Sequence, residues 1–194
     1  MTRKRRAKRH GPLTLTQFKR KMENDYDSKP WRFPVFSYGI NANIANVENR
    51  CPEWPGQWAE AWLDNHHMSF DKQYPGSACT YCNIRLKPGR RTYGALLWLD
   101  KASFKQLDVF EGYPVHYERK KIVVHADGHG LTPAWAYWSD HVGPGAPSHH
   151  YATAVMQGLM ECHAPERYLD DLMTDLGERF QMKKARQQLA FYDV

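Results

Sequence analysis

Thr92-Tyr93-Gly94-Ala95-Leu96-Leu97-Trp98-Leu99, then Asp100, then Leu107-Asp108-Val109-Phe110-Glu111-Gly112-Tyr113-Pro114 is the stretch that decides the fold. The first octet is apolar and aromatic without a charge, the pattern of a buried strand. Asp100 reads as a helix N-cap, because its carboxylate can accept from the free N–H groups of the first turn. Phe104, Leu107 and Phe110 recur at three-residue spacing, so the segment predicts a helix with Lys101, Lys105 and Asp108 facing out. Beyond Gly112, Tyr117 to His125 reads as a strand with Ile122 and Val124 on one face. Glu111 is then a single carboxylate among apolar and aromatic neighbours, at a helix-to-strand junction.

Upstream, Phe33-Pro34-Val35-Phe36-Ser37-Tyr38 reads as a short buried strand ended by Gly39. The turn Tyr38-Gly39-Ile40-Asn41 leaves backbone N–H groups free to face a ligand, and glycine permits close approach. Ala42 to Arg50 fits a helical turn or two, and Trp58 to Phe70 a bent strand. Tyr74-Pro75-Gly76-Ser77 and Lys87-Pro88-Gly89-Arg90 read as turns on either side of a strand over Thr80 to Leu86. Downstream, Ala126-Asp127-Gly128-His129-Gly130 predicts a hairpin turn returning along Thr132 to Ser139. Pro147-Ser148 starts a helix running to Cys162, and Ala164-Pro165-Glu166 starts a last long one. Its apolar stripe is Tyr168, Leu169, Leu172, Leu176, Phe180 and Met182. Strands fill the middle and helices the end. The order predicts an α+β domain over 31–194, a small barrel-like mixed sheet with flanking helices.

The 194 residues, 42% of them hydrophobic, suffice for one core. No apolar run approaches the roughly 20 residues of a membrane span, and no apolar stretch follows the N-terminal cations as a secretory signal requires. The expectation is a cytoplasmic protein without a membrane role, whose cysteines are free thiols. Cys79-Thr80-Tyr81-Cys82 has half the spacing of a zinc site, but Cys162-His163 and His66-His67 do not supply the other half, so no metal is expected. His116 and His125 read as strand-surface residues and His149-His150 as an exposed helix start. Asp170, Asp171 and Asp175 read as the polar face of the last helix.

The formal charge of +6 is unevenly distributed. Residues 1–32 hold eleven Lys/Arg against three Asp/Glu, whereas 33–194 hold sixteen against eighteen. Residues 1–30 thus read as a basic arm that repels itself and stays extended. Such an arm offers phosphate contacts to nucleic acid without sequence readout, or docking on an acidic partner, or simply solubility.

Several of these segments together resemble the γ-glutamyl cyclotransferase-like superfamily, which includes γ-glutamylamine cyclotransferases and AIG2-like proteins. Val35-Phe36-Ser37-Tyr38-Gly39-Ile40-Asn41 looks like its Tyr-Gly-Ser-Asn turn. Pro88-Gly89 with Tyr93-Gly94-Ala95-Leu96 resembles its glycine-bearing strand. Leu107-Asp108 to Glu111-Gly112-Tyr113, then Tyr117 and Arg119, is similar to its acidic segment. Ala134 to Tyr137 matches its aromatic strand, and Pro147-Ser148 with Tyr151 its helix start. The ordered set spans about residues 33 to 175.

The resemblance implies a compact β-barrel with flanking helices and a cofactor-free release of 5-oxoproline from a γ-glutamyl amine or peptide. It places the acid/base at Glu111 and substrate binding at the loop of Gly39, Ile40 and Asn41, and Tyr137 and Tyr38 are candidates to line the same pocket. The chemistry is coherent. An α-amine has a reference pKa of about 8 and must lose a proton before attacking its own γ-carbonyl, and a free Glu at about 4.3 is too weak a base until burial raises it. The expected burial is beside Phe110, Tyr113 and the barrel wall. Attack closes a five-membered ring, so pre-orientation supplies much of the acceleration. Ile40 departs from the family's serine. That departure keeps a second reading open, a catalytically altered or inactive binding protein of the same fold that docks through its basic arm.

Overall fold

The structure, a computed structural model, describes residues 33–189, with side chains to Gln181. The expectations for the basic arm of residues 1–30, and for the Met182 side chain, lie outside the described residues.

Strand β1 (Phe33–Ser37) leads through a 3-10 turn (Ile40–Ala42) into helix α1 (Ile44–Arg50). Strands β2 (Trp58–Gln73) and β3 (Thr80–Leu99) form a long antiparallel pair, followed by helix α2 (Lys101–Glu111). The hairpin of β4 (Glu118–Ala126) and β5 (Gly130–Trp138) precedes helices α3 (His149–Glu161) and α4 (Glu166–Leu189). The strands close a barrel in the order β1-β3-β2-β4-β5, with β5 returning to β1 as a parallel neighbour. This is the mixed barrel with flanking helices that the sequence predicts.

Thr92 to Leu97 are six consecutive buried residues on β3. A strand buried at both parities is covered on both faces, which requires helices outside the barrel as well as side chains within it. Tyr93 meets that need by donating its hydroxyl to the carbonyl of Cys162, just past the end of α3. Leu172 and Leu176 of α4 are buried, and Arg179 donates to the Phe70 carbonyl on β2 at 3.0 Å. No described helix is long and apolar enough to cross a membrane.

Two local expectations are corrected. Lys87-Pro88-Gly89-Arg90 does not separate two strands: β3 runs through it, and the residues bulge where the β2 register jumps from Asp64↔Arg91 to His66↔Leu86. Asn65, at φ 56°, fills the gap and accepts from the Gly89 N–H at 3.0 Å. Phe110 is not a core residue. It is 53% exposed, while Asp108, expected to face out, turns inward to Tyr137 and Arg119.

Candidate functional site

Helix α2 places Glu111. Asp100 caps its start by accepting from Ser103 N at 2.8 Å, as its sequence position predicts. Gly112 ends it in the left-handed region (φ 63°, ψ 34°), where a side chain is strained, so Glu111 is the last helical residue. Its side chain, 13% exposed, points back into a pocket at the barrel end.

The opposite wall is the turn after β1. Ala42 N donates to Gly39 O and Asn43 N to Ile40 O, which tightens the chain into a 3-10 turn. The N–H groups of Gly39, Ile40 and Asn41 have no hydrogen-bond acceptor among the described residues, as expected at the start of a helical turn. The turn is held from behind. Asn46 Nδ2 donates to the Ile40 carbonyl at 3.2 Å, and the Cys162 thiol to that of Ala42 at 2.8 Å. Gly39 has an ordinary negative φ of −113°. Its requirement is space: a Cβ there would lie 2.8 Å from Cys82 Cβ.

Asn41 joins the two walls. Its Nδ2 donates to Glu111 Oε1 at 2.5 Å, while its Oδ1 accepts from Arg50 Nη1 at 2.5 Å. Arg50 Nη1 is also 3.7 Å from Glu111 Oε1, and its guanidinium lies over the Phe110 ring at 5.0 Å. Arg50 therefore fixes which end of the Asn41 amide faces the carboxylate.

Tyr38, Gly39, Ile40, Asn41, Tyr137 and Glu111 all border one pocket of about 330 Å³, counted with its open mouth. Phe36 and Ser37 of β1, Cys82 of β3, Tyr117 just before β4 and Tyr151 of α3 complete its lining. Tyr38 donates to the Tyr137 carbonyl, and Tyr137 donates to Asp108 Oδ1 at 2.7 Å. Tyr117 donates to Cys82 O at 2.7 Å, and Tyr151 Oη accepts from Cys82 N at 3.2 Å. Tyr117 and Tyr151 belong to the quoted segments, but nothing in their local pattern marks them as pocket residues. Arg50 carries no sequence signal at all, since its partners lie elsewhere in the fold.

Burial raises the proton affinity of Glu111 above that of an ordinary glutamate. Arg50, the Asn41 hydrogen bond and Lys72 oppose that rise. The burial comes from the turn and the tyrosine wall rather than from Phe110 and Tyr113, which are 53% and 38% exposed. Burial also raises Tyr38, Tyr117, Tyr137 and Tyr151, so the wall stays neutral, and pushes the Cys82 thiol up to about 12. The pocket is thus lined by one carboxylate, that of Glu111, and by a turn whose first N–H groups have no acceptor among the described residues. Cys79 is half-buried outside the pocket, and no group of three His, Cys, Asp or Glu is disposed to hold a metal among the described residues.

The fold and one matching segment are similar to those of the γ-glutamyl cyclotransferase-like superfamily. The AIG2-like family model matches residues 91–172, a segment containing Glu111 and the pocket tyrosines 117, 137 and 151 but not the 38–41 turn. Solved structures agree on the fold. A γ-glutamyl cyclotransferase superposes with a TM-score of 0.65 at 20% identity, over 73% of this chain and 86% of its own. An uncharacterised Homo sapiens protein does so with 0.65 at 21%, over the same shares. YkqA of Bacillus subtilis gives 0.64 at 16%, over 81% of this chain and 58% of its own. No curated protein matches in sequence.

Proposed function

We propose that this chain is a γ-glutamyl cyclotransferase releasing 5-oxoproline from a γ-glutamyl amine or peptide, with Glu111 as the general acid/base. The observation carrying this reading is the buried Glu111 carboxylate opposite the unpaired N–H groups of Gly39, Ile40 and Asn41, in one pocket. Glu111 takes a proton from the substrate ammonium. The freed amine attacks the γ-carbonyl, and the developing oxyanion is received by the turn's N–H groups, which need no reorganisation to do so. The protonated carboxyl then returns its proton to the departing amine. Atoms balance without a cofactor, because the nucleophile and the electrophile belong to one molecule.

A tightly bound arginine would suppress a base, yet Arg50 spends its shortest hydrogen bond on Asn41 and stands 3.7 Å from Glu111. Ile40 lines the pocket where the family has serine, and in this reading the turn works through its main chain. The cell compartment consistent with the reading is the cytoplasm, where γ-glutamyl metabolites and free thiols coexist.

The test is 5-oxoproline release from a panel of γ-glutamyl amines and dipeptides, with Glu111→Gln run beside the native chain. Release by the native chain and loss of at least about a thousandfold in the variant is the expected result. Equal release by both would sink the assignment of Glu111. Silence of the folded native chain across the panel would turn the reading toward a non-catalytic binding protein.

A further inference from the structure

Asn41 and Arg50 come to Glu111 from two different elements and converge on one of its two oxygens. Asn41 of the turn donates Nδ2 to Oε1 at 2.5 Å, and Arg50, the last residue of α1, donates Nη1 to the other end of the same amide at 2.5 Å. Arg50 Nη1 itself stands 3.7 Å from Oε1. The Phe110 ring, otherwise exposed apolar surface, lies against the guanidinium at 5.0 Å and helps to hold it there. Oε2 has no hydrogen-bond partner among the described residues yet is not sealed off, so it is the oxygen that reaches the pocket space.

A guanidinium carries donors and no acceptor, so it can bond only the carbonyl end of the Asn41 amide. The NH2 end is left for the carboxylate. Turning the amide over would set N–H against N–H at Arg50 and a carbonyl against Oε1, at a buried residue where water repairs neither contact. The same logic assigns the proton of a protonated Glu111. On Oε1 it would face the Asn41 NH2 group and the Arg50 guanidinium, donor against donor. On Oε2 it leaves every bond of the relay in place.

We propose that Arg50 is a positioning residue acting through Asn41: it keeps Glu111 Oε1 as a permanent hydrogen-bond acceptor and leaves Oε2 as the oxygen that takes and returns the proton. The inference rests on the proposed reaction, in which Glu111 is the acid/base, and adds which of its atoms carries the proton. The substrate ammonium gives one proton to Oε2. The Oε2–H bond then breaks as the departing nitrogen takes that proton and its bond to the γ-carbon opens. The relay is the same before and after both transfers, so neither waits for a side chain to turn. Of the other titratable groups around the carboxylate, Tyr38, Cys82, Tyr117, Tyr137 and Tyr151 line the pocket and stay neutral. Lys72 and Tyr74 lie outside the pocket lining, the Lys72 nitrogen 3.1 Å from the Tyr74 ring centroid.

The test is a double-mutant cycle on the full-length chain, with Arg50→Met, Asn41→Ala and the two together, read by 5-oxoproline release across pH. Each single variant should lose about ten- to a hundredfold in kcat, the scale of one hydrogen bond to a charged group, with KM held within about threefold. The acid limb of each profile should move to higher pH, because the carboxylate has lost a donor. The double variant should fall no more than about threefold below either single one, since Arg50 has nothing to orient once the Asn41 amide is gone. Arg50→Lys, a cation with donors only, should recover most of the loss. A purely structural role would lower activity evenly with pH, and direct action of the Arg50 charge on Glu111 would make the two losses multiply; either result would overturn the proposal. Should Arg50→Met not fold, Arg50→Gln, which accepts from Asn41 as readily as it donates to it, completes the cycle. If the folded native chain releases no 5-oxoproline, the Glu111 titration midpoint from carbon-13 NMR of the carboxyl runs the same cycle. Non-additive shifts would then uphold the relay while the cyclotransferase reading fails, and additive or absent shifts would overturn the relay.

Discussion

Replacing Gly39 by alanine adds one methyl group at the point where the turn crosses β3. The new carbon would lie 2.8 Å from Cys82 Cβ, 3.2 Å from its sulfur and 3.8 Å from Tyr151 Oη. The Cys82 Cβ cannot swing aside, because its backbone is fixed at both ends, the N–H by Tyr151 and the carbonyl by Tyr117. The turn must therefore move, and overpacking of this kind costs about 1–3 kcal/mol. For a domain of this size that is a fall in Tm of roughly 2–12 °C. The displaced N–H groups should also lose their aim, with a fall in kcat of about a hundredfold, the scale of one misplaced oxyanion donor. Thermal unfolding and 5-oxoproline release measure the two effects separately. Cys82→Gly in the same chain removes the obstructing carbon and should recover part of both losses, whereas Cys82→Ala, which keeps that carbon, should recover less. A Gly39→Ala protein with native Tm and native turnover would refute the claim that the turn's seat on Cys82 builds the site.

Further outcomes follow from the same contacts. Glu111→Gln should stabilise the fold near neutral pH: burial raises the native carboxyl above its unfolded value of about 4.3, so native stability falls as pH rises through that window. Denaturant midpoints should show the variant ahead at pH 7–8 and close to the native chain at about pH 3. Tyr137→Phe deletes the 2.7 Å bond to Asp108 and leaves that carboxylate to Arg119 alone, at a cost of about 1 kcal/mol in chemical unfolding. Ile40→Ser should change KM while leaving kcat within about threefold, because the main chain is unaltered; a large rise in kcat would show that the hydroxyl matters.

Features written into adjacent residues were legible in the sequence. Asp100 and Ser148 cap the helices they precede, and the Asp127-Gly128-His129 hairpin lies where its turn residues place it. Glu111, Tyr137 and the 38–41 turn were legible through the resemblance, and the fold brings them to one pocket. What failed depended on distant partners. Phe110 continues a three-residue apolar spacing, but it falls at the helix end, where it meets Arg50 and solvent. Asp108 breaks that spacing as a polar residue should, yet Tyr137 lies 29 residues away and draws it inward. Lys72 occupies a polar-looking stretch of β2 and is covered by the Tyr117 ring just before β4 and the Tyr74 ring of the loop after β2. No local pattern reports such a cage.

The parallel contact of β1 with β5, at Val35↔Trp135, is the seam of the barrel, and it joins residues a hundred positions apart. The long β2–β3 and β4–β5 ladders need only neighbouring strands and should assemble early, whereas the seam must wait for a large loop to close. Tyr38 and Tyr137, whose bond bridges that seam, belong to the pocket itself. Recovery of activity during refolding should therefore lag behind recovery of strand signal, since the pocket comes into being only when the last seam shuts.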